Sequence, residues 1–281
     1  MTPFSDRRTI FKQNIENDGV LLPGAFNALT AKMLAKKGFK GMYISGAALS
    51  ASAGFPDIGI LTLTEFLTFA SYIVRATDLP CICDADTGFG ERSQVIRTVQ
   101  EFEQLGLAGL HIEDQLMPKR CGHLKGKTLI PQDEMCEKIK AAVQTRQDPN
   151  FLIIARTDAR SIEGLESVIT RSQAYIDSGA DMVFPEALQS REEFEWVAAS
   201  LHVPLLANMT EFGVSPLIPF PELKQMGYKV VIYPVSSLRI AMKACDQFFD
   251  ILLKQSGQEA QLGLMQTRQE LYDLLGYTYT W

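Results

Sequence analysis

Short, continuously apolar runs alternate along the chain with longer stretches in which apolar residues recur every three or four positions. The short runs fall at 20–22, 41–45, 81–84, 109–113, 151–155, 182–184, 204–207 and 229–233. Runs of this length, rich in Val, Ile and Leu and without polar alternation, predict strands buried on both faces, as in a parallel sheet. The longer stretches predict helices, among them one from about Asn27 to the stop at Gly38, one from about Thr64, and others at 93–105 and 133–145. A small-residue loop is expected from Ser45 to Gly59. Eight strand-like runs separated by helical patterns is the count for an α/β chain folded as a (β/α)8 barrel of the TIM type. The rival, a doubly wound open sheet, usually carries a Gly-x-Gly-x-x-Gly turn after its first strand, and this chain has none there. No linker divides the chain, so residues 1–281 read as one domain. Two further helical patterns, 237–254 and 260–275, follow the eighth run, and the aromatic tail 277–281 suggests docking onto a neighbouring subunit.

Composition narrows the class. With 281 residues, 46% hydrophobic and 21% charged, the chain can bury a large core. A net charge of −6 without a Lys/Arg block argues against nucleic acid and against a membrane surface. No apolar run reaches membrane-spanning length, and the first residues lack the apolar core of a secretion signal. Five cysteines, an odd number, argue for reduced thiols and a cytoplasmic location. Cys81, Cys83, Cys136 and Cys245 sit in apolar or helical patterns and are expected in the core.

The candidate chemistry collects after the strands. In a barrel the C-terminal strand ends meet at one face, and here they carry Ser45-Gly46-Ala47, Asp84 with Asp86, Glu113 with Asp114, Arg156 with Asp158, Glu186, Asn208 with Thr210, and Ser236. At the end of 81–84, Asp84 and Asp86 share one face by the two-residue period of a strand. Two hard oxygen ligands suit Mg²⁺, although the same residues could serve only to build a turn. Together with Arg156 and the amide of Asn208, this acidic floor suits a small anionic substrate bound through a metal. After the fourth run, Lys119-Arg120-Cys121-Gly122-His123 places a thiol between cations, which predicts a lowered pKa; Gly122 and the following Lys125-Gly126-Lys127 suggest a loop that closes over substrate. A catalytic thiol and an ordinary basic loop both fit these residues. A structural zinc site does not, for want of a second Cys/His pair at ligand spacing. His111 reads as a core residue and His202 as a surface one.

These two stretches, Lys119-Arg120-Cys121-Gly122-His123 and Asp84-Ala85-Asp86-Thr87-Gly88-Phe89-Gly90, resemble the isocitrate lyase and phosphoenolpyruvate mutase superfamily, in its lyase branch. The likeness extends from 22–25 to 265–268. It implies a Mg²⁺-dependent cleavage, with Mn²⁺ as the alternative ion, of 2-methylisocitrate into pyruvate and succinate in propionate catabolism by the 2-methylcitrate cycle. It further implies that Asp84 and Asp86 hold the metal, that Ser45, Gly46 and Ala47 hold the pyruvate carboxylate, and that Arg156 stabilises the oxyanion. Cys121 would protonate the succinate carbanion, and Tyr43 or Glu113 would be the base or its support. By position Gly122, His123, Glu186, Asn208, Met209, Thr210, Arg239 and Arg268 match groups that bind or orient a di- or tricarboxylate. Phe184 stands where the branch leaves room for a substrate methyl. The resemblance also implies a homotetramer in which subunits exchange the helix at 237–254. Where the family has Ser-Gly-Gly this chain has Ser45-Gly46-Ala47, and the loop after His123 departs from the usual polar form. Rival readings are a lyase for another 2-hydroxy dicarboxylate or for oxaloacetate, a phosphoenolpyruvate/phosphonopyruvate mutase, and a non-catalytic metabolite-binding barrel.

Overall fold

The computed structural model describes residues 2–278, so Tyr279, Thr280 and Trp281 of the aromatic tail, and the docking expected of them, lie outside the described residues. The order of elements is α1 (Phe4–Asn17), β1 (Val20–Pro23), α2 (Ala28–Lys37), β2 (Met42–Ile44), α3 (Gly46–Ser52), α4 (Leu63–Arg75), β3 (Cys81–Asp84), α5 (Arg92–Leu105), β4 (Gly109–Glu113) and α6 (Gln132–Thr145). It continues with β5 (Leu152–Thr157), α7 (Leu165–Asp177), β6 (Met182–Pro185), α8 (Arg191–Ser200), β7 (Leu205–Asn208), α9 (Phe220–Met226), β8 (Tyr228–Tyr233), α10 (Ser236–Gln255) and α11 (Arg268–Leu275). Local chemistry sets the boundaries. The Asn27 side chain accepts the Thr30 N–H at 2.8 Å to start α2, and Gly38 ends it in the left-handed region at φ 84°. A capping box between Thr62 and Glu65 starts α4.

All eight strands are parallel and follow one another around the sheet, with the ladder running β1-β8-β7-β6-β5-β4-β3-β2. The remaining seam, β1 to β2, is closed by a single bridge between Gly24 and Tyr43 and by the Ala25 N–H donating to the Tyr43 carbonyl at 2.8 Å. Gly24 is required on its other side, beside β8, because a Cβ there would lie 2.0 Å from the Pro234 carbonyl oxygen. The expected (β/α)8 barrel is therefore borne out.

The two-residue period sorts every strand into an inner and an outer face. Ile82, Leu152, Ile154, Met182, Phe184, Leu206, Val230 and Ile232 fill the barrel interior, while Cys81, Cys83, Leu110, Ile112, Ile153 and Ala155 pack outward against helices. At the N-terminal end of the barrel the interior is capped by Phe11 and Ile15 of α1, buried in the same inner cluster. The helix is tied down by Arg8, whose Nε donates to the Leu107 carbonyl at 2.8 Å and whose Nη1 pairs with Asp148 at 3.0 Å.

Two expectations about elements are corrected, and one element was missed. Helix α1 was not expected, since it carries few apolar residues and buries two arginines among them. The small-residue loop begins as α3, capped by the Ser45 hydroxyl, which accepts the Ala48 N–H at 3.3 Å. The stretch 260–275 is not one helix but a 3-10 turn, Glu259–Leu264, and then α11, because Thr267 and Glu270 form a fresh capping box. Among the cysteines, Cys136 is half-buried and Cys245 is exposed, since α10 buries none of its residues. His202 is exposed as expected. No helix among the described residues is long and apolar enough to cross a membrane.

Candidate active site

Because the strands are parallel, their C-terminal ends meet at the face opposite α1, and the inner-face residues at those ends surround a cavity of about 90 Å³. Tyr43, Ser45, Ala47 and Asp84 line one side, and Phe184, Glu186, Asn208 and Thr210 the other. Cys121, Gly122 and His123 roof it, and Arg239, from the first turn of α10, stands at its edge.

The acidic side is held rigidly. Asp84 accepts the Gly46 N–H at 3.1 Å on Oδ2 and the Asp86 N–H at 3.0 Å on Oδ1. A Cβ at position 46 would lie 2.8 Å from Asp84 Oδ2, so only glycine admits this approach. Asp86 adopts a left-handed backbone at φ 45°, a strained turn of the kind functional sites retain. Lys119 Nζ lies 2.7 Å from Asp86 Oδ1 and also binds Asp57. Burial raises both carboxyls, but they separate. His111, Lys119 and Arg156 hold Asp84 below its ordinary value, whereas burial and the neighbouring Asp84 push Asp86 up to about 6 against the pull of Lys119. Burial alone would discharge Lys119, but Asp86, Glu113 and Asp57 outweigh it and hold it protonated.

Asp86 Oδ1 and both oxygens of Glu113 are buried and accept no hydrogen bond of good geometry, Lys119 and Arg156 reaching them as ion-pair partners at 2.7 and 3.2 Å. Among the described residues no three His, Cys, Asp or Glu side chains converge on one point. That donor set fits a hard divalent cation which takes one or two carboxylates and completes its shell with water and substrate oxygens.

Beside the carboxylates, Tyr43 Oη lies 2.6 Å from His111 Nε2, and the same nitrogen is 3.7 Å from Asp84 Oδ1. Burial drives the His111 pKa down to about 4 despite Asp84, so the ring is neutral near pH 7, and burial with Asp84 raises the Tyr43 phenol. His111 was expected to be a core residue only; it is fully buried, yet it faces the cavity chemistry through Tyr43.

Arg156 is the hub of the basic side. Its Nε and Nη2 bind Asp158 at 3.0 and 3.2 Å, its Nη1 faces Glu113, and its guanidinium lies 5.1 Å over the Phe184 ring. Burial pushes the Glu113 carboxyl well up against the pull of Arg156. Glu186 has the opposite outcome. Burial raises it, but Arg156, His123 and Asn208 prevail and hold it ionised well below the usual range. His123 accepts the Val214 N–H on Nδ1 at 3.1 Å, and its Nε2 lies 2.7 Å from Glu186 Oε1 as an ion-pair contact without hydrogen-bond geometry. Asn208 donates to the same carboxylate at 3.2 Å.

The lowered pKa expected for Cys121 is corrected. Burial, with Asp57 and Glu186, raises the thiol against the His123 N–H and Arg156. The flanking cations point elsewhere, Lys119 to Asp57 and Asp86, and Arg120 to the Lys125 carbonyl at 3.4 Å.

Five expected residues do not line the cavity: Gly46 and Asp86, whose N–H groups bond Asp84 from outside it, and Glu113, Met209 and Arg268. Met209 turns into the outer core, where its sulfur accepts the Ile218 N–H at 3.2 Å. Arg268 is exposed at the start of α11, which packs on α2 on the outside of the barrel. Glu113 stands behind Arg156 and is fully buried. Asp57, which the sequence did not single out, lines the cavity from the loop after α3. Nothing local marks it, since its partner Lys119 is 62 residues away.

The sequence model of the phosphoenolpyruvate phosphomutase family matches residues 11–253. A 2-methylisocitrate lyase of Aeropyrum pernix is 47% identical over 269 residues, 95% of this chain and 87% of that protein. A 2,3-dimethylmalate lyase of Eubacterium barkeri is 43% identical over 258 residues, covering 92% and 89%. Among solved structures, oxaloacetate acetylhydrolase in complex with 3,3-difluorooxalacetate is similar with a TM-score of 0.92 at 36% identity, over 98% of this chain and 95% of that one. A phosphonopyruvate hydrolase complex with oxalate and Mg²⁺ gives 0.86 at 27% identity, over 98% and 95%. The matched span contains every strand end described above, and the chain belongs to the phosphoenolpyruvate phosphomutase family, within the isocitrate lyase/phosphoenolpyruvate mutase superfamily.

Proposed function

We propose that this protein is a carbon–carbon lyase that cleaves 2-methylisocitrate to pyruvate and succinate in the cytoplasm, as one barrel unit per chain. The observation that carries the reading is a half-buried thiol, Cys121, over a cavity with carboxylates on one side and Arg156 on the other, in a chain 47% identical to a 2-methylisocitrate lyase. We assign Asp84 and Asp86 to a Mg²⁺ ion, with Mn²⁺ as the alternative. When bound, the ion would act as a Lewis acid for the 2-hydroxy acid half of the substrate. Ser45, Gly46 and Ala47, at the N-terminus of α3, would orient the carboxylate of that half, Gly46 acting through its hold on Asp84.

The chain's own residues divide the proton work. Tyr43 faces the cavity while Glu113 does not, so we assign Tyr43 to the substrate hydroxyl. It takes that proton as it passes its own to Nε2 of neutral His111, 2.6 Å away. The bond between C2 and C3 then breaks, and its electron pair remains on the carbon that becomes succinate. Cys121 donates a proton to that carbon, and its raised pKa keeps the thiol protonated until then. Arg156, aligned by Asp158 and Glu113, stabilises the oxyanion, and His123, Glu186, Asn208, Thr210 and Arg239 orient the succinyl carboxylates, with Gly122 giving them room. Arg268 would reach a site only through a neighbouring copy. The rival 2,3-dimethylmalate has support from the Eubacterium barkeri relative at 43% identity.

The test is release of pyruvate from 2-methylisocitrate and 2,3-dimethylmalate, and of glyoxylate from isocitrate, with Mg²⁺, with EDTA, and with Cys121→Ser. Mg²⁺-dependent pyruvate release, faster than glyoxylate release from isocitrate and reduced by at least about 10²-fold in Cys121→Ser, is expected. Turnover of dimethylmalate alone, or of none of the three, overturns the assignment.

A further inference from the structure

The loop over the cavity is anchored at its foot. Gln115 and Leu129 form an antiparallel bridge, and the Leu116 N–H donates to the Thr128 carbonyl at 2.7 Å. Lys127 stands just inside this foot, and its side chain is buried although the surrounding sequence, Lys125-Gly126-Lys127, is that of an open basic turn. Its Nζ makes two contacts. One is Asp158 Oδ1 at 2.9 Å, on the barrel; the other is the Gly122 carbonyl, on the part of the loop that covers the cavity. Asp158 Oδ1 is the same oxygen that receives Arg156 Nη2 at 3.2 Å. Gly122 in turn lies so close to Arg156 that a Cβ there would meet its Nη2 at 2.5 Å.

From this geometry we propose that Lys127 is a positioning residue, the catch that holds the Cys121–His123 segment closed and ties closure to the alignment of Arg156 through their shared partner, Asp158. Its catalytic consequence rests on the function proposed above, though the catch itself does not. The physics favours a reversible catch rather than a permanent strut. Burying an ammonium is costly, and one carboxylate oxygen already shared with Arg156 plus one carbonyl offset that cost only narrowly. When the loop lifts, Nζ loses the Gly122 carbonyl and gains water. When it closes, Cys121, Gly122 and Arg156 arrive in register together.

The catch is read without turnover, by the rate at which iodoacetamide alkylates Cys121, resolved by peptide mass spectrometry, with an added free-thiol peptide as internal reference. In Lys127→Met, Cys121 should be alkylated ~10- to 100-fold faster than in the wild type, with the rate of the reference peptide unchanged. The turnover number should fall by a similar factor while KM for 2-methylisocitrate changes less, and Lys127→Arg should recover part of both. Lys127→Gln is the second variant should the methionine variant not fold. It keeps one donor for Asp158 but is too short to reach Gly122, and the same acceleration is expected. An unchanged Cys121 alkylation rate in either folded variant overturns the proposal. If the wild type turns over none of the three substrates but Lys127 still governs alkylation, the substrate assignment fails and the catch stands.

Discussion

Lys119 and Arg120 precede Cys121 in the chain, yet their charges are spent on Asp57, Asp86 and the Lys125 carbonyl, and the thiol is governed by its burial. Neighbourhood in sequence and neighbourhood in space differ most in such a loop, where no periodicity fixes which way a side chain points. Gly122 shows the reverse case, a position where spatial crowding dictates the residue. A methyl group there would meet Arg156 Nη2 and Glu186 Cγ at 2.5 Å each, so Gly122→Ala should cost about 10²-fold in kcat/KM while leaving the unfolding midpoint within a few degrees. Activity within about threefold of the wild type would show that the arginine can yield. Asp86 carries a pH prediction. With its pKa pushed up to about 6, it binds a proton more tightly folded than unfolded, so the metal-free protein loses that increment of stability as pH rises from about 4 to 6. A cation must displace the same proton below pH 6. Calorimetric titration should therefore show Mg²⁺ affinity falling by roughly tenfold between pH 7 and pH 5; a flat profile removes Asp86 from the metal site. Asp84 was legible because a strand's period placed it, whereas Asp86 lies past the end of β3 in a left-handed turn at φ 45°, where that period does not reach. Asp57 and the role of His111 were not legible, because their partners come from other elements.

At the scale of elements, the barrel strands were legible nearly to the residue, and β3 and β4 coincide with the expected runs. Strands buried on both faces have an unambiguous composition, and caps such as Asn27, Gly38 and Thr62 punctuate the helices between them. Helix α10 obeys a different logic. It is twenty residues long and buries none of them, leaving Ile240, Met242, Phe249 and Leu253 more than half exposed. Among the described residues nothing covers the apolar face of this amphipathic helix. We propose that a second copy of the chain supplies it, by the helix exchange and tetramer that the resemblance implies. Ile240→Glu combined with Leu253→Glu should shift the protein to a smaller species in light scattering without changing far-UV circular dichroism. An unchanged mass would reject α10 as the contact.

For the molecule as a whole, the least legible element supplies a boundary of the barrel. Helix α1 is mostly polar, and only Phe11 and Ile15 reveal which face is inward, since buried Arg7 and Arg8 break the pattern. Phe11 is fully buried in the inner cluster, and Phe11→Ala should destabilise the protein by about 3–5 kcal/mol in urea unfolding, with kcat affected far less because Phe11 does not line the cavity. A loss of activity without loss of stability would contradict that division.

The same plug gives the reaction a direction. With the barrel filled from α1 up to Tyr43 and Phe184, traffic in and out passes through the loop-covered end alone. On the proposed assignment, the fragment under Cys121 would lie nearer that exit, and the fragment held at Asp84 and α3 beneath it. Succinate should then depart first and pyruvate last. In product-inhibition kinetics, pyruvate should compete with 2-methylisocitrate for free enzyme, whereas succinate should inhibit non-competitively; the opposite pattern would require a second way out.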